Sequence, residues 1–348
     1  MFIDQFSSTH LSKLVHVYRH YFICMFQIIL PLGTSMTDPK RPPHDRGHEL
    51  WTAEGGPSRM LLASIDRWVN ALLADDGITM PFMGGSQKID AVILARSDGI
   101  VVGTAAIDHM IQIWAPSLKI SWKAGDGKKV SKGDEIAVVS GERDTLLGME
   151  RSMLNLLGQL SGIATEAKRW SARAPGQIAC TRKTTWGLLD KWAVHLGGGL
   201  THRLHLYDAK MLKENDLASM YEEHDDHSSR IVAFLQEISN ENCGAFLEVE
   251  VREDKEAIMA AAAWAQRQDE DKPKLVIMLD NFGPERSRDV ASQLTEMGLR
   301  EHVYLEASGG IVFSQLDEWQ ESGIDVLSTS AVNRGVPPLD LSMIVDGA

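Results

Sequence analysis

The chain has 348 residues, of which 44% are hydrophobic and 24% are charged, a composition typical of globular proteins. Domains usually run to about 100–200 residues, so the length corresponds to one large or two moderate domains, and the composition excludes collagen, disorder and a disulfide-stapled mini-protein. A net charge of −13 argues against a protein that wraps nucleic acid. The cysteines Cys24, Cys180 and Cys243 form no CxxC pair and are odd in number, which indicates a reducing, cytoplasmic compartment.

Residues 1–49 are interpreted as an N-terminal extension. Tyr21–Leu32 is the most apolar run in the chain, but it is too short for a bilayer core, which needs about 20 helical residues. Basic residues precede it, as in a signal peptide, yet no small-x-small cleavage site follows. Pro and charged residues dominate Met36–Arg46, which predicts a flexible lead-in. Two interpretations stay open for the first 35 residues: a start-site artefact before an initiating Met36, or a membrane-associating or targeting tail. No membrane span is predicted downstream.

Residues 50–145 predict an N-terminal α/β domain. A helix should begin at Ser58, because apolar residues then recur at the 3.6-residue period up to Leu73, and Asp75-Asp76-Gly77 should end it. Short strand-like runs separated by turn residues indicate an antiparallel sheet. The predicted strands are Ala91–Ala95, Ile100–Val102, Leu118–Trp122 and Glu135–Val139.

Residues 146–348 predict a larger domain that opens with a long helix near Leu146. Beyond residue 176 strands and helices alternate, which implies parallel strands in either an open sheet or a barrel. The predicted strands are Gln177–Cys180, Ala209–Leu212, Ala245–Glu250, Leu275–Leu279, Val303–Leu305 and Asp325–Leu327. The predicted helices are Leu188–His195, Ile231–Ile238, Lys255–Arg267, Pro284–Met297 and Ser314–Glu321.

Polar, chemically capable residues follow nearly every one of these strands. In parallel barrels the reactive groups collect where strands end and loops begin. One polar strand end would mean little, but six of them indicate a functional site. The clusters are Thr181–Thr185, Gly197–Arg203 with Lys213–Asn215, Glu248–Glu250, Asp280–Asn281, Glu306–Gly310 and Ser328–Ala331.

These residue types suit three chemical tasks. Arg provides a planar fork and Lys a compact charge, so a cationic pocket in an acidic protein favours a small molecule with carboxylates or phosphates. The backbone of Ser308–Gly310 and of Ser330-Ala331 suits a phosphate monoester. Glu250 and Asp280 offer hard oxygens to Mg²⁺ or sugar hydroxyls. The pattern predicts a phosphorylated sugar that reacts with a carboxylated partner. The cationic residues are Arg182, Lys183, His202, Arg203 and Lys213.

Several features also have a purely structural interpretation. The two strand-end carboxylates could be solvated caps. Gly197–Gly199 is interpreted as a tight backbone path rather than a ligand contact, and Cys180 as a buried small residue rather than a nucleophile. The pairs His202-x-x-His205 and His224-Asp-Asp-His227 lack convincing third and fourth ligands, so the sequence does not favour zinc.

Seven segments in this order resemble quinolinate phosphoribosyltransferase, also called carboxylating nicotinate-nucleotide pyrophosphorylase. The similarity covers most of residues 50–345 and extends to the closing PPLDLS (337–342). The segments are GMERSMLNLLGQLSGIAT (148–165), TRKTTWGLL (181–189), KWAVHLGGGLTHRL (191–204), YDAKMLKEN (207–215), LEVEV (247–251), IMLDNF (277–282) and LEASGGI (305–311).

The resemblance implies an N-terminal α/β sandwich domain followed by an incomplete, TIM-like α/β barrel of parallel strands. It also implies a homodimer whose active site is shared between subunits. The implied enzyme is a pentosyltransferase that converts quinolinate and phosphoribosyl pyrophosphate, with Mg²⁺, to nicotinate mononucleotide, pyrophosphate and CO₂ in NAD biosynthesis.

The resemblance also implies roles for individual residues. Arg182, His202, Arg203 and Lys213 would hold the quinolinate carboxylates. Lys183, Glu250 and Asp280 would be catalytic on the phosphoribosyl pyrophosphate side, the two carboxylates also serving Mg²⁺ directly or indirectly. The 5′-phosphate cradle would be Ser308, Gly309 and Gly310 with Ser330 and Ala331, and Arg151 would reach in from the partner subunit. From the residues alone, Arg151 is equally an ordinary surface ion-pair residue on a helix.

The chain departs from the family pattern at Cys180, Trp186, Asp216, Ser330 and Arg334, where the family usually has Asp, Pro, His, Gly and His. These departures leave room for a paralogous phosphoribosyltransferase with another carboxylated base. A non-catalytic ligand-binding relative is a further alternative, although the basic cluster, both carboxylates and the Ser-Gly-Gly loop together argue against it.

Overall fold

The structure is a computed structural model that describes residues 41–82, 87–224, 226–269 and 272–345. The apolar run Tyr21–Leu32, and with it the choice between an artefact and a targeting tail, lies outside these residues. Within the described ranges, no helix combines the length and the apolarity that a membrane crossing requires.

Two groups of elements follow one another along the chain. The first contains β1 (Trp51–Thr52), β2 (Gly56–Pro57), α1 (Arg59–Asp75), β3 (Lys88–Ala95), β4 (Gly99–Ile100), α2 (Thr104–Trp114), β5 (Lys119–Trp122), β6 (Lys129–Val130) and β7 (Glu135–Glu142). The second contains α3 (Arg143–Arg173), β8 (Ile178–Ala179), α4 (Leu188–Leu196), β9 (Lys210–Leu212), α5 (Glu214–Met220), α6 (His227–Glu237), β10 (Leu247–Val251), α7 (Asp254–Ala265), β11 (Leu275–Asp280), α8 (Pro284–Glu296), β12 (Val303–Ser308), α9 (Leu316–Gln320), β13 (Val326–Ser328) and β14 (Leu341–Val345).

The first group forms an antiparallel sheet with the order β14-β3-β7-β5. Helix α1 confirms the predicted start, because Ser58 Oγ accepts the N–H of Leu61 at 3.3 Å. Its buried side chains, including Leu61, Ile65 and Val69, follow the predicted apolar period. Strand β14, from the opposite end of the chain, pairs with β3 from Leu341 opposite Ala95 onward.

Sequence analysis did not anticipate helix α2, because its start is capped from a distant loop. The N–H groups of Gly103, Thr104 and Ala105 donate to the carboxylate of Asp126 at 2.7, 3.0 and 3.1 Å. Asp126 lies 22 residues beyond Thr104. A cap of this kind leaves no signal in the residues that flank the helix.

The second group forms a six-stranded parallel sheet with the order β8-β13-β12-β11-β10-β9. From β9 to β13 each strand pairs with the next along the chain, so the winding runs in one direction. Because βα crossovers are right-handed, this winding places all the helices on one face of the sheet. The opposite face becomes an interior when the sheet curls toward a barrel. An isolated parallel bridge joins Ala179 to Leu200 on the open side. The predicted α/β fold class is confirmed, with the strand order of a barrel open between β8 and β9.

The flexible lead-in predicted for Met36–Arg46 is wrong over its described part. Residues 41–46 pack against the segment that follows Leu200, at the open side of the parallel sheet. The N–H of His202 donates to the carbonyl oxygen of His44 at 2.9 Å, and Arg46 forms an ion pair with Asp208 at 3.0 Å. The His44 side chain is fully buried. The local Pro and charged residues predicted flexibility. They could not show that His44 and Arg46 have partners about 160 residues away.

The inner face of the parallel sheet is unusually polar. All five residues of β10 are buried; Leu247, Val249 and Val251 belong to the main apolar core. Side chains alternate between faces along a strand, so Glu248 and Glu250 point to the inner face. This alternation is what brings charged groups into the interior, and Glu250 also stands near the strand end where the site begins.

Candidate active site

A cavity of about 370 Å³ lies at the carboxyl ends of the parallel strands. Eight of the predicted site residues line it, and four further residues complete its wall. The predicted ones are Arg182, Lys183, His202, Arg203, Lys213, Glu250, Asp280 and Ser308; the others are Thr181, Met211, Met278 and Ser328. The structure thus brings together residues that are up to 147 positions apart in the sequence, from Thr181 to Ser328.

The strand registers explain this convergence. Glu250 on β10 pairs with Met278 on β11, Asp280 on β11 pairs with Ser308 on β12, and Ser308 pairs with Ser328 on β13. In-register parallel strands end at one edge of the sheet, so their last inward side chains form one ring. The six polar strand ends in the sequence therefore describe one site.

One carboxylate of the cavity wall, Glu250, is already paired with a cation of the same wall, Lys213. Glu250 is nearly buried and contacts Lys213 directly, while Arg252 lies 3.7 Å away. Arg203 is also mostly buried, and its pKa is lowered, first by desolvation and against the attraction of Glu248. A bound anion would compensate the guanidinium charge that burial leaves poorly solvated.

His202 faces the interior as well as the cavity. Its Nε2 lies 3.3 Å from Glu306, and its Nδ1 accepts the N–H of Arg203 at 2.7 Å. Burial lowers the pKa of His202 to about 4, against the opposing effect of Glu306, so the ring is neutral at neutral pH. Burial next to Glu306 raises the pKa of Glu248 well above its ordinary value. Because of its own low pKa, His202 presents an uncharged ring to the pocket.

The remaining predicted residues do not line this cavity. Arg151 is exposed on α3. Gly309 and Gly310 follow β12 with positive φ values of 94° and 64°, and a Cβ on Gly309 would stand 2.1 Å from Asn281 Oδ1. Ser330 and Ala331 follow β13 at the same edge.

The departures from the family pattern have local structural roles. Cys180 is a fully buried thiol with a pKa raised by burial, and Trp186 stacks on Trp68 with ring centroids 6.0 Å apart. The carboxylate of Asp216 accepts the N–H of Lys213 at 3.0 Å and so caps α5. The N–H of Arg334 donates to the Ser330 carbonyl oxygen at 2.8 Å. Packing and capping account for these contacts, and none of the five residues lines the cavity.

Two buried residues that sequence reasoning missed hold the Thr181–Trp186 loop. The carboxylate of Asp190 accepts the N–H groups of Thr185 and Trp186 at 2.9 and 3.1 Å and the amide of Asn333 at 3.0 Å. Lys191 Nζ donates to the carbonyl oxygens of Thr181 and Thr201 at 3.1 and 2.7 Å. The available signal was an Asp-Lys pair in the middle of an apolar helix.

Replacing Asp190 by alanine should lower the free energy of unfolding by about 2–4 kcal/mol, because two backbone N–H groups and a buried amide lose their acceptor. Urea unfolding measures this change. Asp289→Ala, an exposed carboxylate on α8, is the control and should stay within about 0.5 kcal/mol of the parent. Equal effects of the two substitutions would show that Asp190 does not anchor the loop.

Fold and site together define a class of protein: an α/β enzyme with a cation-lined cavity at the carboxyl ends of its parallel strands. The family model of the quinolinate phosphoribosyl transferase N-terminal domain matches residues 76–161, and the model of its C-terminal domain matches residues 163–344. The chain belongs to the quinolinate phosphoribosyltransferase family, and the resemblance seen in the sequence is confirmed. The boundary between the two matches, at residues 161–163, and the predicted division at residues 145–146 both fall inside α3.

Curated relatives and solved structures agree with this assignment. A probable carboxylating nicotinate-nucleotide pyrophosphorylase of Methanothermobacter thermautotrophicus is 33% identical over 286 residues, covering 78% of this chain and 94% of the relative. The chloroplastic carboxylating enzyme of Arabidopsis thaliana is 34% identical over 286 residues, covering 77% of this chain and 76% of the relative. The nicotinate-nucleotide pyrophosphorylase structure from Francisella tularensis superposes with a TM-score of 0.68 at 26% identity, covering 81% and 96% of the two chains.

Proposed function

We propose that this protein is a quinolinate phosphoribosyltransferase, which converts quinolinate and phosphoribosyl pyrophosphate to nicotinate mononucleotide, pyrophosphate and CO₂. One observation carries the proposal: a single cavity is lined by the cations Arg182, Lys183, Arg203 and Lys213, the carboxylates Glu250 and Asp280, and Ser308 of the Ser-Gly-Gly loop. A base with two carboxylates and a separate phosphorylated sugar would together use the cations, the carboxylates and the Ser-Gly-Gly loop. The family membership and the names of the relatives support the same reaction.

The cations supply the binding energy for quinolinate. Arg182 and Arg203 offer planar guanidinium groups that match carboxylate geometry. Lys213 is held by Glu250 in the structure, so it can transfer its contact to a substrate anion without crossing the pocket. The neutral ring of His202 forms the adjoining wall and adds no charge, which leaves charge recognition to the arginines and lysines.

The carboxylates act on the ribose. When pyrophosphate leaves, C1′ acquires oxocarbenium character, and the negative charges of Glu250 and Asp280 stabilise it. The pyridine nitrogen then attacks C1′ and the ring becomes cationic, so it stabilises the electron pair left on the adjacent ring carbon when its carboxylate departs as CO₂, and that carbon then takes a proton from water. No side-chain nucleophile is required, and well-oriented reactants can be worth roughly 7–11 kcal/mol.

The proposed cofactor is Mg²⁺, and the residues present fit it. Glu250 and Asp280 are the carboxylate donors of the cavity wall, and Mg²⁺ is usually held by one or two carboxylates together with substrate phosphates. Bound there, directly or through water, it would neutralise the pyrophosphate and make it a better leaving group.

We also propose a homodimer in which Arg151 serves the partner's site, because its exposed position on α3 leaves it outside this chain's own cavity wall. A cytoplasmic site of action is proposed as well. The two cysteines in the described part of the chain, Cys180 and Cys243, are both buried free thiols, which suits a reducing compartment.

The first experiment is an assay of the purified protein with quinolinate, phosphoribosyl pyrophosphate and Mg²⁺, with nicotinate as a parallel substrate. The expected result is that nicotinate mononucleotide forms with quinolinate as the base and does not form with nicotinate. A folded dimer that forms no product from either base would contradict the proposal. Product from a different carboxylated base would instead identify a paralogue, the second candidate that the five departures from the family pattern leave open.

Substitution of Gly309 by alanine should raise the KM for phosphoribosyl pyrophosphate about tenfold. Its Cβ would collide with Asn281, so the loop that is proposed to hold the 5′-phosphate would shift. Gly298→Ala is the matched control, because its φ is also positive and its Cβ would meet nothing within 4 Å, but it follows α8 and lies outside the proposed cradle. Initial rates at varied phosphoribosyl pyrophosphate test this difference, and equal KM values for the two variants would contradict it.

A further inference from the structure

Four side chains that the proposed reaction does not need as a group meet inside the parallel sheet. They are His44, His202, Glu248 and Glu306, and one nitrogen or oxygen atom from each lies within 4.8 Å of the corresponding atom of every other. All four residues are buried, His44, Glu248 and Glu306 completely. Their positions in the sequence span 262 residues, so the fold alone creates the group.

One oxygen carries nearly all the polar contacts of this cluster. Oε2 of Glu306 lies 2.7 Å from Nε2 of His44 and 3.3 Å from Nε2 of His202. Oε2 of Glu248 lies 3.6 Å from the same His202 nitrogen, beyond hydrogen-bond distance. The two imidazoles therefore converge on the space between the two carboxylates.

The rest of the cluster is unsatisfied. Both carboxylate oxygens of Glu248, Oε1 of Glu306 and Nδ1 of His44 are buried and have no hydrogen-bond partner. Native proteins leave few buried polar atoms unpaired, and such atoms commonly mark a missing water or ion. Three of these four are carboxylate oxygens within one small space, which points to a cation.

We propose that His44, His202, Glu248 and Glu306 hold one divalent transition-metal ion, with Zn²⁺ the best match. Two imidazole nitrogens and two carboxylate oxygens are ligands that Zn²⁺ accepts, whereas Mg²⁺ prefers oxygen alone. Two buried carboxylates also balance the charge of a divalent ion. With four protein ligands and no position for substrate, the site is structural rather than catalytic.

The geometry needs only small adjustments. Ligand bonds of about 2.0–2.2 Å in a tetrahedron place the ligand atoms roughly 3.3–3.6 Å apart, and the present atoms lie within 4.8 Å of one another. Metal must replace the protons that now join the rings to Glu306. Coordination through Nε2 of His202 moves its proton to Nδ1, so the Arg203 N–H that now donates there has to turn away. The site therefore exchanges one local hydrogen bond for a metal–ligand bond.

Metal at this position would attach residues 41–50 to the parallel sheet. His44 is the single ligand from that segment, and the other three come from the barrel strands and the segment after Leu200. The site is separate from the Mg²⁺ carboxylates, Glu250 and Asp280. Its test uses no substrate, so its failure and a failure of the proposed function are distinguishable.

The test measures metal content and stability of the full chain. Purified protein should retain about one equivalent of Zn²⁺ per chain after gel filtration. Stripping with a strong chelator should lower Tm, and added Zn²⁺ should restore it. The stripped chain loaded with Co²⁺ should show the intense visible absorption of four-coordinate cobalt.

The decisive variant is His44→Gln. Glutamine still donates an N–H to Glu306 but lacks the imidazole ligand, so this variant should fold, retain no Zn²⁺, give no cobalt band and show a Tm that does not respond to Zn²⁺. His48→Gln, the same change in the same segment but outside the cluster, should behave like the parent. A second variant, Glu248→Gln, should also lose the metal.

Two results would overturn the proposal. One is a parent chain that retains less than about a tenth of an equivalent of metal and whose Tm and spectrum do not respond to Zn²⁺ or Co²⁺. The other is a His44→Gln variant that binds Zn²⁺ as the parent does. Either would mean that protons or buried waters, rather than a metal ion, satisfy these oxygens.

Discussion

Replacement of Glu250 by glutamine is expected to lower kcat by about 10²–10³-fold while the KM for quinolinate changes little. Removal of one preorganised electrostatic partner of a transition state typically has this effect. Glu250 is almost buried at the end of β10 and paired with Lys213, so its charge is held in place rather than solvated. The oxocarbenium character of the ribose develops only as pyrophosphate leaves, which is why the loss should appear in kcat. Steady-state kinetics with both substrates varied measure it.

The matched control is Glu214→Gln. Glu214 also pairs with Arg252 and carries the same charge, but it starts helix α5 and is not in the cavity wall. Its kcat should remain within about twofold of the parent. A comparable loss of kcat in both variants would show that net charge near Arg252, and not the position of Glu250, controls the rate.

Replacement of Arg182 by alanine is expected to raise the KM for quinolinate about 10- to 100-fold. A charge-assisted hydrogen bond contributes about 1.5–3 kcal/mol, and alanine removes the whole guanidinium fork. Arg182 lies on the exposed part of the cavity wall, so its loss should leave the fold intact. The KM for phosphoribosyl pyrophosphate should change far less, since Lys183 and the loop after β12 are proposed to hold that substrate.

Arg288→Ala provides the comparison for Arg182. Arg288 is an exposed arginine on α8 near Glu321 and outside the cavity wall, so the variant should keep the parent's KM values. Equal increases of both KM values in Arg182→Ala would contradict a specific role in quinolinate binding. Such a result would indicate that Arg182 attracts either anion through long-range charge alone.

Sequence patterns predicted those parts of the fold whose cause is local. These causes lie within single segments of the sequence, so each element could be predicted from its own residues. Examples are the apolar period of α1 with its Ser58 cap and the short apolar runs of β10, β11 and β12. Helix α2 depends on Asp126, and the ordered segment at Arg41–Arg46 depends on Asp208 and on the chain after Leu200. Partners so distant in sequence leave no local pattern.

The candidate site divides in the same way. Polar residues at strand ends are visible because strand ends are visible, and eight of those residues line one cavity. Buried roles were not predicted: Asp190 and Lys191 occupy an apolar helix, and Glu248 and Glu306, which the sequence placed among the strand-end polar residues, are buried between core residues on their strands. A charged residue inside an apolar run was the available signal, but its partners depend on strand register and on closure of the sheet.

The pairing of β14 with β3 has a consequence for synthesis on the ribosome. Arg96, just after β3, donates to the Ser342 hydroxyl at 2.7 Å, and these two residues lie 246 positions apart. At about 5–20 residues per second, roughly 12–50 s must pass between the emergence of one partner and that of the other. During this time β3 has an open edge, a surface on which nascent strands of other chains can pair. We therefore expect the nascent chain to depend on chaperones mainly during this interval, before β14 is synthesised and pairs with β3.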